Sequence, residues 1–514
     1  MLLITARPSA HAQEFKAKAR HVLLCAWDGM RPDFITPENT PNLHTLAQRG
    51  TFFNNNHSFY VTTTEVNGTV LATGVFPRRS GIMANREYRP GIDLMHAVAT
   101  EDRKTIRIGD ALSDGHYLGA MTVAELAQQA GLRTAVAGTK AVGLLHDRSI
   151  DRAGKDPTLW LGRTYPVDFL ATIEKAQGKF PDFPKTILDD LSDARPNTAQ
   201  NLWTTRALID FLWKDDVPAY TLLWLGDPDF SQHLTAPGSP TALAAIHDSD
   251  THFGLVVAEL EKRGLLDSTD IFVVSDHGFS TVDRTIDIAA HLKKNGVAAL
   301  RDFKMTPRPG EVLVANIGGT TCLYVPDQDA KIIQRVVDLL QAGDFAGPIF
   351  TRDGLPGTFT LRDGRFDTEA PPDIVFSFRW HEGKNQHGTP GLIVGEGKRP
   401  GFGTHGTFSP YEVHNTLVAA GPDVRAGFRD ELPTGNIDVA PTILAILGLA
   451  QPGGCDGRVL LEALNGADFK APKPEGKRME ATRRLTTGTW TQYIQTTTLG
   501  EWTYFDEGNA ANGR

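Results

Sequence analysis

Short apolar runs rich in β-branched residues alternate with helix-like segments along the chain, and this alternation constrains the fold more than any other feature. Continuous runs of Val, Leu and Ile are typical of strands buried on both faces. Strands alternating with helices predict an α/β fold with a mainly parallel central sheet and helices on both faces. The predicted strands are 21–28, 134–139, 220–226, 271–276 and 415–421, and the predicted helices are 122–130, 201–214, 241–263 and 439–447.

The segment from about residue 280 to 400 has a different texture, with hairpin-like runs at 312–317 and 320–325 and a helix at 330–341. We interpret it as a smaller α+β insertion within one catalytic domain that spans residues 18–465. Residues 466–514 are predicted to form a C-terminal extension that packs on the core. Residues 1–17 are predicted to be an N-terminal tail.

The first 14 residues join a short apolar start to Ala-His-Ala, which resembles the cleavage region of a secretory signal. They indicate a signal-peptide remnant and a periplasmic or secreted location, with a plain disordered N terminus and a cytoplasmic protein as the alternatives. No apolar run approaches the roughly 20 residues that cross a bilayer.

The charge and the cysteines exclude several classes of function. A net charge of -9 argues against a protein that coats nucleic acid, whereas a small anionic substrate is compatible with it if bound metal supplies positive charge. The three cysteines form no CxxC pair and no disulfide framework. Cys25 and Cys322 lie in apolar runs and are interpreted as buried thiols. The oligomeric state is not indicated.

Three predicted strands end directly in ionisable residues, and for the strand at 220–226 these lie in the Asp227/Asp229 turn. Asp28 closes the first strand before a Gly turn, and Asp276-His277 follow a fully apolar strand. Carboxyl ends of parallel strands meet at one edge of the sheet, where α/β sites form. Ionisable groups at the end of a buried strand are costly unless something neutralises them, which favours a metal. A strand-ending Asp that caps a turn is the alternative for Asp28.

Two further motifs supply the same ligand types. Asp229 and His233 are four residues apart and would share one face of a helical turn, so both could reach one ion. His405 stands between glycines in a loop that could approach a metal closely. A surface ion pair and a solvated loop histidine are the respective alternatives.

A candidate nucleophile precedes a helical stretch. Thr64 lies at a loop-to-helix junction, where a hydroxyl is favoured as a simple N-cap but also meets helix N–H groups that suit a phosphoryl group. Metal coordination can activate a threonine hydroxyl. Asn85, in the loop 81–85, could donate from its amide to a phosphoryl oxygen.

The ordered set of these motifs, from about residue 22 to 464, resembles the alkaline phosphatase superfamily and its nucleotide pyrophosphatase/phosphodiesterase branch. Asn85 follows Thr64 by 21 residues, as in that branch. The resemblance implies two zinc ions, or other divalent ions, and a Thr64 nucleophile that forms a phosphothreonine intermediate. It implies one ion held by Asp229, His233 and His405 and the other by Asp28, Asp276, His277 and Thr64.

Three positions bear on the substrate, which we expect to be a small phosphoester. Glu65 stands where nucleotide-type members usually have an aromatic residue. Lys140 lies near substrate-binding lysines of related phosphomonoesterases and phosphonoacetate hydrolases, but Val142 replaces their second basic residue; a strand-end surface lysine is the alternative. The predicted function is a phosphodiesterase or nucleotide pyrophosphatase, with phosphomonoesterase or phosphonate hydrolase as the alternative. A non-catalytic metal-stabilised binding protein would be expected to have lost one of these residues.

Overall fold

A computed structural model of the chain describes residues 16–148, 156–184, 195–486 and 488–513. Almost all of the predicted N-terminal tail, including the signal-like segment, lies outside the described residues. Within the described ranges, no helix combines the length and apolar character needed to cross a membrane.

Nine strands of the described residues form the central sheet. They are β1 (His21–Trp27), β2 (Thr51–Phe53), β3 (Thr134–Gly138), β4 (Thr158–Trp160), β5 (Arg163–Tyr165), β6 (Tyr220–Leu225), β7 (Thr269–Val274), β8 (Leu417–Ala420) and β9 (Phe428–Asp430). The spatial order is β9-β2-β8-β7-β1-β6-β3-β4-β5. The neighbours from β7 to β4 are parallel, while β8 and β5 run antiparallel to β7 and β4. The predicted, mainly parallel sheet is confirmed.

Helices cover both faces of this sheet. The α-helices in the described part of the chain are α1 (Pro41–Arg49), α2 (Thr64–Thr73), α3 (Pro77–Ser80), α4 (Arg103–Leu112), α5 (Val123–Gln129), α6 (Gly143–His146), α7 (Phe169–Gln177), α8 (Thr198–Ala207), α9 (Asp229–Leu234), α10 (Pro240–Lys262), α11 (Ile288–Lys294), α12 (Ala330–Ala342), α13 (Pro410–Val413) and α14 (Val439–Leu447). Of these, α11 and α12 pack within the segment between β7 and β8 and not on the central sheet. A π-helical segment, Leu208–Leu212, continues α8. It accounts for the longer helix predicted at 201–214.

Side chains of β1 alternate between two cores, as a strand requires. Leu24 lies in the core that includes Leu71 of α2 and Ile443 of α14. Cys25 lies in the opposite core with Phe253 of α10 and is completely buried, as predicted from its apolar run. The sheet is therefore a buried middle layer.

The residues between β7 and β8 form two smaller sheets. The mixed six-stranded sheet consists, in spatial order, of Ala298–Leu300, Glu311–Asn316, Thr320–Tyr324, Ile374–Phe378, Ala346–Thr351 and Phe359–Thr360. Its second and third strands pair antiparallel, which is the predicted hairpin. The four-stranded sheet consists of Trp380–Lys384, Pro390–Gly395, Ser280–Thr285 and Gly403–Thr404.

Beyond residue 474, a three-stranded antiparallel sheet is formed by Glu475–Leu485, Gly488–Leu499 and Trp502–Gly513. Its Phe505 contacts Phe59, with ring centroids 5.7 Å apart, just ahead of α2. Two short pairs complete the strands: Asn56–His57 with Thr434–Gly435, and Arg86–Tyr88 with Ala97–Ala99. The predicted domain boundaries stay a prediction.

Candidate metal and phosphoryl site

Four neighbouring strands deliver the candidate residues to one edge of the sheet. Asp28 follows β1, the Asp227–Asp229 turn follows β6, and Asp276-His277 follow β7, with Lys140 just beyond β3. Because β7, β1, β6 and β3 are adjacent and parallel, their carboxyl ends lie side by side. The order of the strands in the sheet is therefore enough to bring these strand-end residues together at the edge that the sequence predicts.

The first group of candidate ligands is Asp229, His233 and His405. Asp229 Oδ1 lies 3.3 Å from the Nε2 atoms of both histidines. Asp229 is the first residue of the short helix α9 and His233 is its last but one. The two side chains therefore lie on one face of the helix, as their spacing predicts. His405 follows the strand Gly403–Thr404, and pairing of Gly403 with Thr281 brings it to the loop after β7.

The second group surrounds His277. Its Nε2 lies 3.2 Å from Asp276 Oδ2, 3.7 Å from Asp28 Oδ1 and 3.4 Å from the Thr64 hydroxyl. The imidazole of His277 stacks on His405, with ring centroids 3.7 Å apart. The two groups are thus contiguous, and Thr64 borders the second of them.

Backbone carbonyls fix the tautomer of all three histidines. The Nδ1 atoms of His233, His277 and His405 lie 3.1, 2.9 and 2.8 Å from the carbonyl oxygens of Gly403, Gly278 and Thr62. A carbonyl only accepts, so each Nδ1 carries the proton and each Nε2 presents a lone pair to the centre. This is the arrangement that orients metal-binding histidines.

The donor set fits divalent metal ions. The Nε2 lone pairs of His233 and His405 face each other at 3.2 Å, which is repulsive without an intervening cation. Among the described residues, no hydrogen-bond donor reaches the buried atoms Asp28 Oδ1, Asp229 Oδ1 and Asp276 Oδ2, although buried polar atoms normally have one. The groups Asp229–His233–His405 and Asp28–Asp229–His277 each bring three ligand atoms within 4.8 Å of one another. Carboxylate and imidazole without thiolate suit zinc and other borderline ions.

The protonation preferences follow from burial and from these contacts. Burial lowers the pKa of His233 to about 4 and that of His277 well below its usual range, so both rings are neutral ligands at pH 7. Burial raises the pKa of Asp276 to about 6. Burial together with the Asp276 charge raises the pKa of Asp28 well above its usual range. Burial alone would raise the pKa of Asp229, but the nearby Lys140 ammonium holds this pKa well below its usual range.

Lys140 lies between the two groups. Its Nζ is 2.5 Å from Asp229 Oδ2 and 3.0 Å from Asp28 Oδ2, and only about a quarter of its side chain is exposed. The interpretation of Lys140 as a surface lysine at a strand end is therefore wrong, because the parallel neighbours of β3 supply buried carboxylates at the same edge.

Asn85 and Glu65 lie at the amino end of α2. The Asn85 carboxamide oxygen accepts from the Glu65 N–H at 3.4 Å, which places Asn85 beside Thr64. The Glu65 side chain is buried, and its Oε2 has no hydrogen-bond donor in the part of the chain that the structure describes. Burial raises the pKa of Glu65 well above its usual range, while Lys140 acts in the opposite direction.

Two residues of this region were missed in the sequence. The Lys398 ammonium lies 3.5 Å from the His233 carbonyl, and burial lowers its pKa while Asp229 opposes this. The buried Glu412 carboxylate accepts from the Thr407 hydroxyl at 2.7 Å and the Thr62 hydroxyl at 3.1 Å, on either side of His405. Neither stands in a recognisable motif, although Lys398 precedes His405 by only seven residues.

Solved structures share this fold. The murine ectonucleotide pyrophosphatase/phosphodiesterase 5 structure, an inactive threonine-to-alanine variant in complex with AMP, is 19% identical with a TM-score of 0.57. The similarity covers 84% of this chain and 96% of that one. The alkaline phosphatase-like fold is confirmed.

Sequence comparisons identify relatives. Bis(5'-adenosyl)-triphosphatase enpp4 of Xenopus laevis is 23% identical over 442 residues, covering 84% of this chain and 78% of the relative. Ectonucleotide pyrophosphatase/phosphodiesterase family member 3 of Mus musculus is 23% identical over 259 residues, but this is 50% of the chain and only 24% of that longer protein. Residues 22–406 match the family described as type I phosphodiesterase / nucleotide pyrophosphatase. The predicted branch and the class of phosphoester hydrolase are confirmed at the level of the family: the chain belongs to the type I phosphodiesterase/nucleotide pyrophosphatase family.

Proposed function

We propose that the chain hydrolyses phosphodiester or pyrophosphate bonds of a small molecule, with Thr64 as the nucleophile and two divalent ions, zinc being favoured by the donor set. The convergence of three Nε2 lone pairs and three carboxylates next to the Thr64 hydroxyl carries this proposal. When bound, the two ions would supply Lewis-acid activation and offset negative charge.

The ligand assignment follows the two groups. We assign Asp229, His233 and His405 to one ion and Asp28, Asp276, His277 and the Thr64 oxygen to the other. Asp229 also reaches the second group, so it stands between the two positions. The carbonyls that hold the three Nδ1 protons keep the Nε2 atoms aimed at the centre through the cycle.

Thr64 is the group that forms and breaks bonds with phosphorus. Its hydroxyl oxygen gives up its proton to solvent and attacks phosphorus in line, and the bond between phosphorus and the leaving-group oxygen breaks on the far side. The leaving group takes up a proton from solvent, and a phosphothreonine results. Water then cleaves the new bond and restores the hydroxyl. We expect the Asn85 amide and the Lys140 ammonium to bind the non-bridging oxygens and so to hold the phosphoryl group over Thr64.

The substrate is proposed to be a diester in preference to a monoester. Val142 supplies no second cation beside Lys140, and a diester brings one negative charge fewer. The names of the relatives, a bis(5'-adenosyl)-triphosphatase and nucleotide pyrophosphatases, favour a nucleotide, whereas Glu65 in place of an aromatic residue does not. Lys398 is the observation that favours the second candidate, a phosphomonoesterase or phosphonoacetate-type hydrolase, because it brings another cation to the Asp229 group.

The periplasmic or secreted location stays a prediction.

The test is Thr64→Ala in the purified, zinc-loaded protein. We expect kcat for bis(p-nitrophenyl) phosphate to fall by at least about a thousandfold, as for loss of a covalent nucleophile. Elemental analysis should still find the bound metal. Thr63→Ala is the matched control, because the neighbouring Thr63 hydroxyl is buried without a hydrogen-bond partner among the described residues. Turnover by Thr64→Ala at the rate of the control would refute the nucleophile.

A further inference from the structure

Four buried asparagines lie directly beneath the candidate site. Asn56, Asn67, Asn415 and Asn436 are each at most 1% exposed and hydrogen-bond to one another. Carboxamides taken out of water in this number are costly unless every donor and acceptor is used. Their partners therefore indicate what the network holds in place.

Asn67 holds the segment that leads into the nucleophile. One turn after Thr64 on α2, its Nδ2 donates to the carbonyls of Phe59, Val61 and Thr63 at 2.9, 3.3 and 3.3 Å. Its Oδ1 accepts from the Phe59 N–H at 2.7 Å. A single side chain thus fixes the backbone from residue 59 to residue 63 against the first turn of α2.

Asn436 holds the loop that carries the second group of ligands. Its Nδ2 donates to the carbonyls of Asp276 and Ser275 at 2.8 and 3.1 Å, and to Asn67 Oδ1 at 3.3 Å. Its own Oδ1 accepts from Asn415 Nδ2 at 3.0 Å. The Asn67–Asn436 contact therefore joins the nucleophile segment to the backbone of a proposed metal ligand.

The same nucleophile segment reaches the first group of ligands. The Thr62 carbonyl accepts the Nδ1 proton of His405 at 2.8 Å, and its hydroxyl accepts from the Gly406 N–H at 3.1 Å. Residues 59–63 consequently stand between His405 on one side and Asp276-His277 on the other. Movement of this segment would shift Thr64 relative to both groups.

We propose that Asn67 and Asn436 are positioning residues that act as one unit, the asparagine clamp, and set the place of the Thr64 hydroxyl relative to Asp276 and His277. The inference rests on the proposed function, because it gives the clamp a role only if Thr64 is the nucleophile. Neither side chain touches the substrate. The clamp acts on kcat through the backbone on both sides of the Thr64–His277 contact.

The experiment is a double-mutant cycle of Asn67→Ala and Asn436→Ala in the zinc-loaded protein, with Thr64→Ala assayed in parallel. We expect each single variant to lower kcat for bis(p-nitrophenyl) phosphate by about 30- to 100-fold, the loss that a misplacement of roughly 1 Å produces. KM should change less than about threefold. Rapid-quench trapping should show slower phosphothreonine formation. The kcat of the double variant should lie no more than about threefold below that of the less active single variant, because the effects of substitutions at contacting residues are not additive.

Gln492→Ala is the matched control for simple destabilisation. This side chain is also fully buried and bonds to the N–H and carbonyl of Ile349 at 2.8 and 3.0 Å, but it belongs to the C-terminal sheet. It should lower the thermal midpoint while leaving kcat within about threefold of wild type. If the alanine variants fail to fold, the isosteric Asn67→Asp keeps the Oδ1 acceptor and replaces the Nδ2 donors by a second oxygen that repels the carbonyls of Phe59, Val61 and Thr63. It should show the same selective loss of kcat.

The clamp would be overturned if Asn67→Ala or Asn67→Asp kept the wild-type kcat. It would also be overturned if the kcat losses of the two single variants multiplied in the double variant. A kcat loss of equal size in Gln492→Ala would also overturn it, since the effect would then be general destabilisation. These outcomes leave the proposed function intact if Thr64→Ala is inactive. Full activity of Thr64→Ala would instead refute the nucleophile and the clamp together.

Discussion

Replacing Lys140 by methionine tests whether the carboxylates of the site need a counter-charge. The Lys140 ammonium contacts Asp229 at 2.5 Å and Asp28 at 3.0 Å, and these two side chains are 4% and 0% exposed. Removing one partner of a buried ion pair costs about 3–5 kcal/mol, because the remaining charge stays buried without compensation. In the presence of a chelator, we therefore expect Lys140→Met to lower the free energy of unfolding by about 3–5 kcal/mol.

The loss should shrink when zinc is added. Divalent ions bound to Asp28 and Asp229 would compensate the same carboxylates, so the ammonium would no longer be their counter-charge. We expect the loss to fall below about 1 kcal/mol, the range of an exposed pair. The measurement is urea denaturation followed by tryptophan fluorescence at pH 8, with EDTA and with zinc.

Lys262→Met is the matched control. Lys262 also pairs with a carboxylate, Glu259, at 2.9 Å, but its side chain is 76% exposed. Its loss should cost at most about 0.5 kcal/mol in either condition. An equal loss for Lys140→Met with EDTA and with zinc would refute the reasoning, as would a loss with EDTA no larger than that of the control.

The remaining predictions concern metal, substrate and pH. Elemental analysis should find about two zinc ions per chain, with activity lost to chelators and restored by zinc; full activity with one ion or none would contradict this. With a common leaving group, kcat/KM should be higher for a diester than for a monoester. A diester-to-monoester ratio of kcat/KM below one would indicate a phosphatase, provided that Lys140→Ala lowers only the monoester value. Burial raises the pKa of Asp270 to about 8, so the folded state binds this proton more tightly than the unfolded chain, and stability is lost as pH rises toward and through 8. Asp270→Asn should therefore be more stable than wild type at pH 9 but not at pH 4, and equal differences in unfolding midpoint at both values would exclude this role.

The sheet could be predicted from the sequence because its inner strands are buried on both faces. β1, β3, β6, β7 and β8 appear as continuous apolar runs, and the predicted ends lie within two residues of the observed ones. The two outermost strands on one side of the sheet, β9 and β2, have three residues each and carry too little pattern to be recognised. The C-terminal sheet was missed for a related reason, since its strands are partly exposed and contain no continuous run of Val, Leu and Ile.

The positions of the candidate ligands could be predicted for a different reason, because parallel strands place their ends together whatever the side chains are. Asp28, Asp276 and His277 needed only that rule. His405 needed a resemblance as well, since pairing of Gly403 with Thr281 joins segments more than 100 residues apart and leaves no local pattern. Asn436 and Glu412 could not be predicted, because a buried amide or carboxylate bonded to backbone has no characteristic spacing.

The charge of the assembled site gives the physical reason to expect a diester. Asp28, Asp229 and Asp276 contribute three negative charges, and Lys140 contributes one positive charge in direct contact with two of them. Two divalent ions would bring the sum to about +2, and ionisation of Thr64 would reduce it to about +1. A diester with one negative charge then leaves a neutral site, whereas a monoester dianion leaves about -1 in buried surroundings, where an uncompensated charge is costly. Glu65 changes this sum little, because burial raises its pKa and favours the neutral form. Lys398 is the one further cation next to the Asp229 group among the described residues, so its distance from the bound phosphoryl group decides whether a monoester is also accepted.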